Sequence, residues 1–243
     1  MQSTYLGFRS SARQLATAAI MPIVAFLLAA SAQNVLAEEE TYKKAERFSN
    51  LFDGKTLDGW EGNNKYFRIE DEAIVAGTLK DKIPHNEFLC TKREYGNFEL
   101  RLEAKLVGKG NNAGVQFRSK RVADSTEVSG YQADAGAAWD RPVWGALYDE
   151  SRRRKMLAEG PKDKLTAWVK EGDWNELRIL AVGDRIQIYL NGHRTIDYTE
   201  KEADIPRRGI IGLQIHSGPP TEAWYRNIRI REIDKSSEAK TSK

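Results

Sequence analysis

A glutamine followed two residues later by an ionisable side chain occurs three times in the 243-residue chain, as Gln116-x-Arg118, Gln132-x-Asp134 and Gln214-x-His216. The surrounding segments alternate apolar and polar residues, which indicates β-strands with one buried face. Each glutamine and its ionisable neighbour then share the opposite face. If the three strands belong to one sheet, we expect the six side chains to project into one concavity. The alternative is that the strands lie apart and the side chains are solvated.

This polar face has residue types that can carry out chemistry. Amides donate hydrogen bonds to hydroxyl groups and accept them, while the ionisable groups bind charge or transfer protons. Glycine within a strand often marks a bulge or the close approach of a ligand. Four glycines flank the same positions: Gly114, Gly130, Gly136 and Gly212. The pattern favours a ligand-binding cleft over an ordinary solvated surface.

A second unusual stretch, residues 139–157, combines aromatic rings with charged side chains. Aromatic faces beside carboxylates and amides are typical of sugar-binding surfaces, because the C–H face of a pyranose stacks on a ring while its hydroxyls need polar partners. The alternative is an ordinary loop that buries its tryptophans in the core and pairs some arginines with carboxylates. The residues concerned are Trp139, Trp144, Tyr148, Asp149, Glu150 and Arg153.

The elements that must position these residues are short strands. The segment 97–106, "NFELRLEAKL", alternates cleanly and predicts a half-buried antiparallel strand. Asn191-Gly192 lies between two alternating segments and predicts a hairpin, because a type I′ turn needs positive φ at both central residues. "FRIEDEAIVAG" predicts strand, turn and strand, and "DESRRRKMLAE", residues 149–159, is the one stretch with some helical periodicity. The pattern predicts an all-β sandwich or jelly roll of two antiparallel sheets.

The beginning and end of the chain predict processing and disorder. Residues 1–37 have two arginines before an apolar run and small residues after it, which indicates a signal peptide and an exported, periplasmic or extracellular protein without a stable membrane anchor after cleavage. Residues 38–45 form a charged spacer, residues 46–233 the folded domain, and residues 234–243 a disordered polar tail.

Charge and cysteine content narrow the function classes. Removing residues 1–37 takes two arginines from 38 basic and 35 acidic residues, which leaves 36 against 35. Such a balance argues against a nucleic-acid partner, since nucleic-acid-binding proteins carry a basic excess. Cys90 is the single cysteine, so no internal disulfide can form, and we expect its thiol to be buried and inert.

Common catalytic motifs are missing from the sequence. There is no Walker loop, no GxGxxG after a strand, no HExxH and no GxSxG. No strand carries an acid-x-acid pair aimed inward, and "EDE", residues 70–72, reads as a turn. A plain hydrolysis by two matched carboxylates therefore has little support in the sequence.

An ordered set of motifs extends over almost the whole predicted domain. They are "FSNLFDGKTLDGW" (48–60), "EYGNFELRLEAKL" (94–106), "NNAGVQFRS" (111–119), "GYQADAG" (130–136), "WGALYDESRR" (144–153), "WNELRI" (174–179), "LNG" (190–192), "GIIGLQIHSG" (209–218) and "WYRNIRIREI" (224–233). In order and spacing they resemble the 3-keto-disaccharide hydrolase family. The resemblance implies a concanavalin A-like jelly roll, export from bacteria and a carbohydrate substrate.

The resemblance also implies a chemistry that suits these residues. A ketone at C3 of a sugar makes the C2 proton acidic, so a base can remove it and the C1 substituent can leave by β-elimination. An imidazole can act as base or acid at neutral pH, so His216 could take either role. Asp134 could be a base or orient His216, Glu150 is a second carboxylate candidate, and Arg118 could stabilise an enolate. Substrate binding is expected from Gln116, Gln132, Gln214, Trp144, Tyr148 and Arg153.

Three further possibilities stay open from the sequence. His216 with Asp134 or Glu150 could hold a divalent metal, although the spacing itself does not indicate one, and the cofactor is unknown. The protein could also be a non-catalytic carbohydrate-binding module that uses Trp139, Trp144 and the glutamines. A sandwich that serves only in surface assembly would be favoured if the ionisable groups proved to be scattered.

Overall fold

The computed structural model describes residues 47–234. The predicted signal peptide (1–37), the charged spacer (38–45) and residues 235–243 of the predicted tail lie outside the described residues, so these assignments stay predictions. Among the described residues, no helix is long and apolar enough to cross a membrane.

Residues 47–234 form sixteen strands and one short helix. They are β1 (Ser49–Asn50), β2 (Trp60–Glu61), β3 (Phe67–Glu70), β4 (Ala73–Thr78), β5 (Glu87–Thr91), β6 (Phe98–Gly108), β7 (Asn112–Arg121), β8 (Val128–Ala138), β9 (Arg141–Pro142), β10 (Leu147–Glu150), β11 (Lys155–Ala158), α1 (Lys162–Trp168), β12 (Asn175–Val182), β13 (Arg185–Leu190), β14 (His193–Thr199), β15 (Ile210–Ile215) and β16 (Thr221–Glu232).

The strands form two antiparallel sheets, which confirms the predicted all-β jelly-roll sandwich. The back sheet has the order β14-β13-β12-β6-β16-β4-β3, with β1 paired to β16. The front sheet has the order β11-β10-β8-β7-β15-β5-β2, with β9 paired to β8. The three strands with the Gln-x-ionisable pattern, β7, β8 and β15, are neighbours in the front sheet, as the sequence pattern requires.

The hydrophobic core lies between the two sheets. Apolar residues at alternate positions of each strand face inward, so the period of two seen in the sequence is the period of burial. Each sheet contributes aliphatic and aromatic side chains that are almost completely buried, among them Leu100, Leu102, Val115, Phe117, Tyr131, Ala133, Leu177, Ile179, Ile188, Ile211, Leu213, Tyr225 and Ile230. The opposite face of the front sheet is thereby free to carry polar residues.

Turn chemistry sets several strand boundaries. Asn191 and Gly192 have φ of 48° and 83° between β13 and β14, which confirms the predicted hairpin. Asp71 and Glu72, with φ of 49° and 56°, connect β3 and β4 and confirm the strand, turn and strand expected there.

The helical alternative for residues 149–159 is wrong. This stretch contains the end of β10 and all of β11, which pair with each other as a hairpin. Asp149 accepts hydrogen bonds from the side chains of Arg152 and Arg153, which fold back on it across the turn. The local ion pairs therefore stabilise a turn at the point where the charge pattern resembles a helix. The one helix among the described residues, α1, follows immediately afterwards.

Cys90 is completely buried, as expected from the sequence. It lies on β5 against Phe88 and Val128, in a small apolar cluster separate from the main core. Burial raises the pKa of its thiol to about 12, so the reactive thiolate is not populated at neutral pH.

Candidate active site

The polar residues of the front sheet lie side by side because the strands that carry them are in register. Tyr148 on β10 is opposite Gln132 on β8, which is opposite Gln116 on β7. The next row places Asp134 opposite Gly114, and Gly114 opposite Gln214 on β15. The expected convergence of β7, β8 and β15 on one face is thus confirmed for their three glutamines and for Asp134.

A cleft of about 270 Å³ opens above this face. Its size is just below the roughly 300–1,000 Å³ that is typical of small-molecule sites. Five of the predicted site residues line it, together with two asparagines, an alanine and a tryptophan. The lining residues are Asn86, Asn112, Gln132, Asp134, Ala138, Trp139, Tyr148, Glu150 and His216.

Beneath the cleft, hydrogen bonds connect three side chains to Asp134. The Ser119 hydroxyl donates to Gln116 Oε1 at 2.9 Å, and Gln116 Nε2 donates to Gln132 Oε1 at 2.6 Å. Gln132 Nε2 then donates to Asp134 Oδ1 at 2.7 Å. Ser119, Gln116 and Gln132 are all buried, so the orientation of each amide is fixed by its neighbours.

Gly114 makes room for this chain of hydrogen bonds. A Cβ atom at this position would lie 2.5 Å from Gln132 Cδ and 2.6 Å from its Cγ. The side chain of Gln132 therefore lies across Gly114 to reach Asp134. This glycine is needed for the close approach of a protein side chain, whereas the sequence pattern suggested a ligand.

Asp134 is the most strongly perturbed acid of the cleft. Its side chain is only 6% exposed, and burial raises its pKa to about 8, an effect that the charge of Glu150 increases. The hydrogen bond from Gln132 acts in the opposite direction, because it stabilises the carboxylate. At neutral pH Asp134 is therefore mainly a neutral carboxylic acid.

Glu150 and Tyr148 form the second acidic part of the cleft. Burial raises the pKa of both groups, and neighbouring negative charges add to it: Glu127 for Glu150, and Glu150 for Tyr148. Gln214 Nε2 lies 3.5 Å from Glu150 Oε2. Gln214 Oε1 is buried and has no hydrogen-bond partner among the described residues, so this amide has an unused acceptor below the cleft.

His216 lines the cleft. Its Nδ1 lies 2.7 Å from the carbonyl oxygen of Ser217, and because a carbonyl only accepts, Nδ1 carries the proton. The neutral ring then has its lone pair on Nε2, for which no hydrogen-bond partner is found within residues 47–234. His216 follows the last residue of β15 and is half-buried. Asp134 does not orient this ring through Nδ1.

The expectation that Arg118 joins this face is wrong. The register of β7 against β8 shifts between Phe117 and Lys120, and Arg118 has a φ of 47°. This bulge turns Arg118 away and places Ser119 on the cleft face instead. The Arg118 guanidinium donates to the carbonyl oxygens of Gly96 and Gly183 and to Asn97 Oδ1, and burial lowers its pKa to about 10. It connects loops at one end of the sandwich.

Arg153 also lies away from the cleft. It forms ion pairs with Asp149, Glu200 and Glu202, and the Tyr131 hydroxyl donates to Glu200 Oε2 at 2.5 Å. This network connects the β10–β11 turn to the segment after β14. This placement does not support the predicted contact between Arg153 and the substrate. It supports the alternative that the arginines of this stretch pair with carboxylates.

The two tryptophans of this region have opposite environments. Trp144 is 3% exposed and belongs to the hydrophobic core, so it is not available for the substrate binding expected of it. Trp139 is 62% exposed and lines the cleft. The sequence shows no difference that would predict which of the two is buried.

Three polar residues of the site were missed by the sequence analysis. Asn112 precedes Gln116 by four residues on β7, so the period of two already places it on the same face. Ser119 was missed because a bulge is not visible in the pattern. Asn86 precedes β5, where no periodicity applies; its amide donates to Glu127 Oε1 and its Oδ1 accepts from the Ser217 backbone.

The site does not resemble a preformed metal centre. Within residues 47–234, no three His, Cys, Asp or Glu side chains are grouped so that they could hold a metal ion. A divalent metal on His216 with Asp134 or Glu150 would have at most these three protein ligands and stays a prediction.

Comparisons with known proteins agree with the fold and with a carbohydrate-active family. The family model described as a 3-keto-alpha-glucoside-1,2-lyase-like domain matches residues 47–231. A curated protein named 3-keto-disaccharide hydrolase, from Bacteroides thetaiotaomicron, is 23% identical over 236 residues, covering 78% of this chain and 80% of its own length. This family is carbohydrate-active.

Solved structures share the fold. A Parabacteroides distasonis protein provisionally named a glycosyl hydrolase aligns with a TM-score of 0.59 and 24% identity, over 77% of this chain and all of its own. The carbohydrate-binding module CBM66 of Bacillus subtilis aligns with a TM-score of 0.54 and 18% identity, over 72% of this chain and 96% of its own. The same sandwich therefore occurs both in a protein with an enzyme name and in a binding module.

Proposed function

Since the chain belongs to the family of 3-keto-α-glucoside-1,2-lyase-like domains, we propose that it cleaves 3-keto-glycosides by removing the C2 proton and eliminating the C1 substituent. The observation that carries this proposal is that His216 and Asp134 line one cleft. Nε2 of His216 has no hydrogen-bond partner within residues 47–234, and burial raises the pKa of Asp134 to about 8. An acid and a base are thus available without two matched carboxylates.

The reaction has a simple atom balance. The base takes the C2 proton, and the electron pair moves onto the C3 ketone to give an enolate. The enolate collapses, the C1–O bond breaks, and the leaving oxygen takes a proton from the acid. The products are a free alcohol or sugar and a sugar with a C1=C2 double bond, a C2 hydroxyl and a C3 ketone. Addition of water at C1 converts the second product to the 3-keto sugar, so the net reaction is hydrolysis.

His216 is the base of this proposal. Its tautomer is fixed by the Ser217 carbonyl, so the lone pair is directed away from the backbone. A neutral imidazole has the basicity that proton abstraction next to a ketone requires near neutral pH.

Asp134 is the acid. Gln132 occupies Asp134 Oδ1, which leaves Oδ2 for the proton that the departing oxygen receives. The pKa of about 8 keeps this carboxyl protonated over the physiological range, and environments that separate the protonation states of two groups are how acid and base roles are assigned in active sites.

The remaining polar groups bind the sugar and the enolate. Burial raises the pKa of the Tyr148 hydroxyl, so it stays protonated and can donate to the developing enolate oxygen. Three other residues that line the cleft, Glu150, Asn86 and Asn112, provide partners for ring hydroxyls.

A second candidate, direct hydrolysis of unmodified glycosides, is favoured by one observation. Asp134 and Glu150 are two carboxyl groups in the same cleft, which the sequence pattern did not predict. Direct hydrolysis, however, needs the second carboxyl, Glu150, as an ionised nucleophile or base beside the protonated Asp134. The elimination route does not need this.

The test compares substrates and histidine variants. We expect the protein to release the aglycone from a 3-keto-α-glucoside, with a primary isotope effect when C2 carries deuterium, and to leave the unmodified glucoside intact. His216→Ala should lower kcat at least about 100-fold, the usual contribution of a general base. The matched control is His193→Ala, because His193 stacks on Trp168 in the back sheet region and should not affect turnover.

Each result separates the candidates. Turnover without an isotope effect, or unchanged turnover in His216→Ala, contradicts the elimination proposal. Turnover of the unmodified glucoside supports the two-carboxylate route instead. Saturable glycan binding without any product assigns the protein to the binding modules.

We also propose that the enzyme works outside the cytoplasm. The support is the arginine-flanked apolar run within residues 1–37 of the sequence. N-terminal sequencing of the protein recovered from the periplasm or medium should begin after Ala32 or Ala37, and an intact first residue would contradict export.

A further inference from the structure

Trp139 is a large apolar side chain in an unusual place. It lies at the tip of the hairpin between β8 and β9, where Trp139 and Asp140 have φ of 50° and 58°. This left-handed conformation is disfavoured for a bulky non-glycine residue. The ring is also 62% exposed, although burial of such a ring is favourable. Neither the backbone nor the packing of the fold explains a tryptophan at this turn.

The indole is held in a defined orientation. The guanidinium of Arg141 lies 5.2 Å from its ring centroid, and Arg141 is itself fixed by two hydrogen bonds to Glu159. Tyr148 is a second neighbour of the indole, with ring centroids 6.2 Å apart and an interplanar angle of 49°. Trp139 is therefore a positioned surface at the edge of the cleft, and a positioned ring loses little conformational freedom when a ligand stacks on it.

The size of the cleft indicates what would stack there. A volume of about 270 Å³ is suited to one sugar ring rather than two. Any substituent at C1 of that sugar must extend out of the cleft, past its rim. The C–H face of a pyranose stacks on an indole ring, whereas a small alkyl group would cover little of it.

We propose that Trp139 forms a subsite for the leaving sugar, so that the enzyme prefers 3-keto-disaccharides over 3-keto-glycosides with small aglycones. The second ring stacks on the exposed part of the indole while the keto ring lies beside Asp134 and His216. The substrate preference rests on the proposed function, but the stacking itself is a binding property that can be measured without turnover.

The experiment uses two substrates and three variants. Trp139→Asn keeps a residue that tolerates positive φ and removes the ring, while Trp139→Phe keeps an aromatic face. The control, Trp174→Ala, removes a tryptophan that contacts Lys105 and Arg226 in the back sheet. We expect Trp139→Asn to lower kcat/KM about tenfold for a 3-keto-α-glucosyl-glucose and less than twofold for methyl 3-keto-α-glucoside. Trp139→Phe should retain most activity on both.

The thermal midpoint provides a second readout. Because asparagine tolerates the positive φ of this turn better than tryptophan and the ring is mostly exposed, Trp139→Asn should unfold no earlier than the wild type. An equal loss on both substrates, or no loss on the disaccharide, overturns the subsite while leaving the proposed reaction intact.

If the wild type turns over neither substrate, the proposed function fails and binding decides the subsite. Calorimetric titration with the unmodified disaccharide and with methyl α-glucoside should then show tighter binding of the disaccharide, lost in Trp139→Asn. Equal affinity of the wild type for the two sugars overturns the subsite in that case.

Discussion

Replacing Asp134 with asparagine should change how the stability of the protein depends on pH. The folded carboxyl has a pKa of about 8, against 3.8 for the ordinary group. Between these values the folded state binds a proton that the unfolded state has released. The stability that this proton provides is complete below pH 3.8 and is lost progressively as pH rises to 8. Over this range the unfolded carboxyl ionises freely, whereas burial opposes ionisation of the folded one.

The magnitude follows from the size of the shift. Each unit of pKa difference corresponds to about 1.4 kcal/mol, so the shift of about four units amounts to roughly 5 kcal/mol over the whole window. The asparagine side chain of the variant cannot ionise and can still accept the hydrogen bond from Gln132. The difference in unfolding free energy between Asp134→Asn and the wild type should therefore rise by about 1.4 kcal/mol per pH unit from pH 5 to 7, in favour of the variant.

Urea unfolding curves followed by tryptophan fluorescence at pH 5, 6, 7, 8 and 9 measure this difference. Acids that do not interact with Asp134 titrate in the same way in both proteins and cancel. The matched control is Asp197→Asn. Arg185 lowers the pKa of Asp197 to about 2, so this group is ionised in both states and the difference should be flat over the same range. Parallel stability curves for Asp134→Asn and the wild type would refute the assignment of a protonated Asp134.

Two further variants test the architecture of the cleft. Gly114→Ala forces Gln132 away from Asp134. Because the hydrogen bond between them lowers the pKa of Asp134, its loss should move the basic limb of the kcat–pH profile to higher pH. An unmoved limb would show that this hydrogen bond does not affect the acid. Arg118→Met leaves the carbonyls of Gly96 and Gly183 without their donor and should lower the unfolding free energy by about 3 kcal/mol, with kcat/KM unchanged in the folded protein. If Arg118→Met keeps the full unfolding free energy but loses turnover, Arg118 takes part in the reaction and its assignment to the loops alone is wrong.

Much of the fold could be predicted because its determinants are local. The alternation in residues 98–106 gives strand β6, and a turn such as Asn191-Gly192 has a conformation that few residue pairs adopt. The register of each strand then follows, because a shift of the strand by one residue would move its apolar side chains from the core to the solvent face. The three Gln-containing strands were therefore recognisable as half-buried strands, and their adjacency made the site possible.

The parts that could not be predicted depend on distant residues. Arg153 pairs with Glu200, 47 residues later in the chain, and no local sequence pattern predicts a partner at that distance. Trp144 and Trp139 differ in exposure because of their position relative to the edge of the sandwich. The segment around Asp149 has helical spacing of charges, yet its backbone pairs as a hairpin because Leu147 and Asp149 pack inward beside β8.

The bulge in β7 explains why Arg118 was wrongly predicted to face the cleft, and it also places the hydroxyl at which the hydrogen bonds below the cleft begin. By breaking the period of two after Phe117, it directs Arg118 into the loops and Ser119 to the cleft face. The Ser119 hydroxyl donates to Gln116, and each following amide presents its oxygen toward Ser119 and its nitrogen toward Asp134. With the opposite polarity, Gln132 would face Asp134 with an oxygen, and the carboxyl proton would be held between them. The observed direction leaves that proton on Oδ2, where a leaving group can take it.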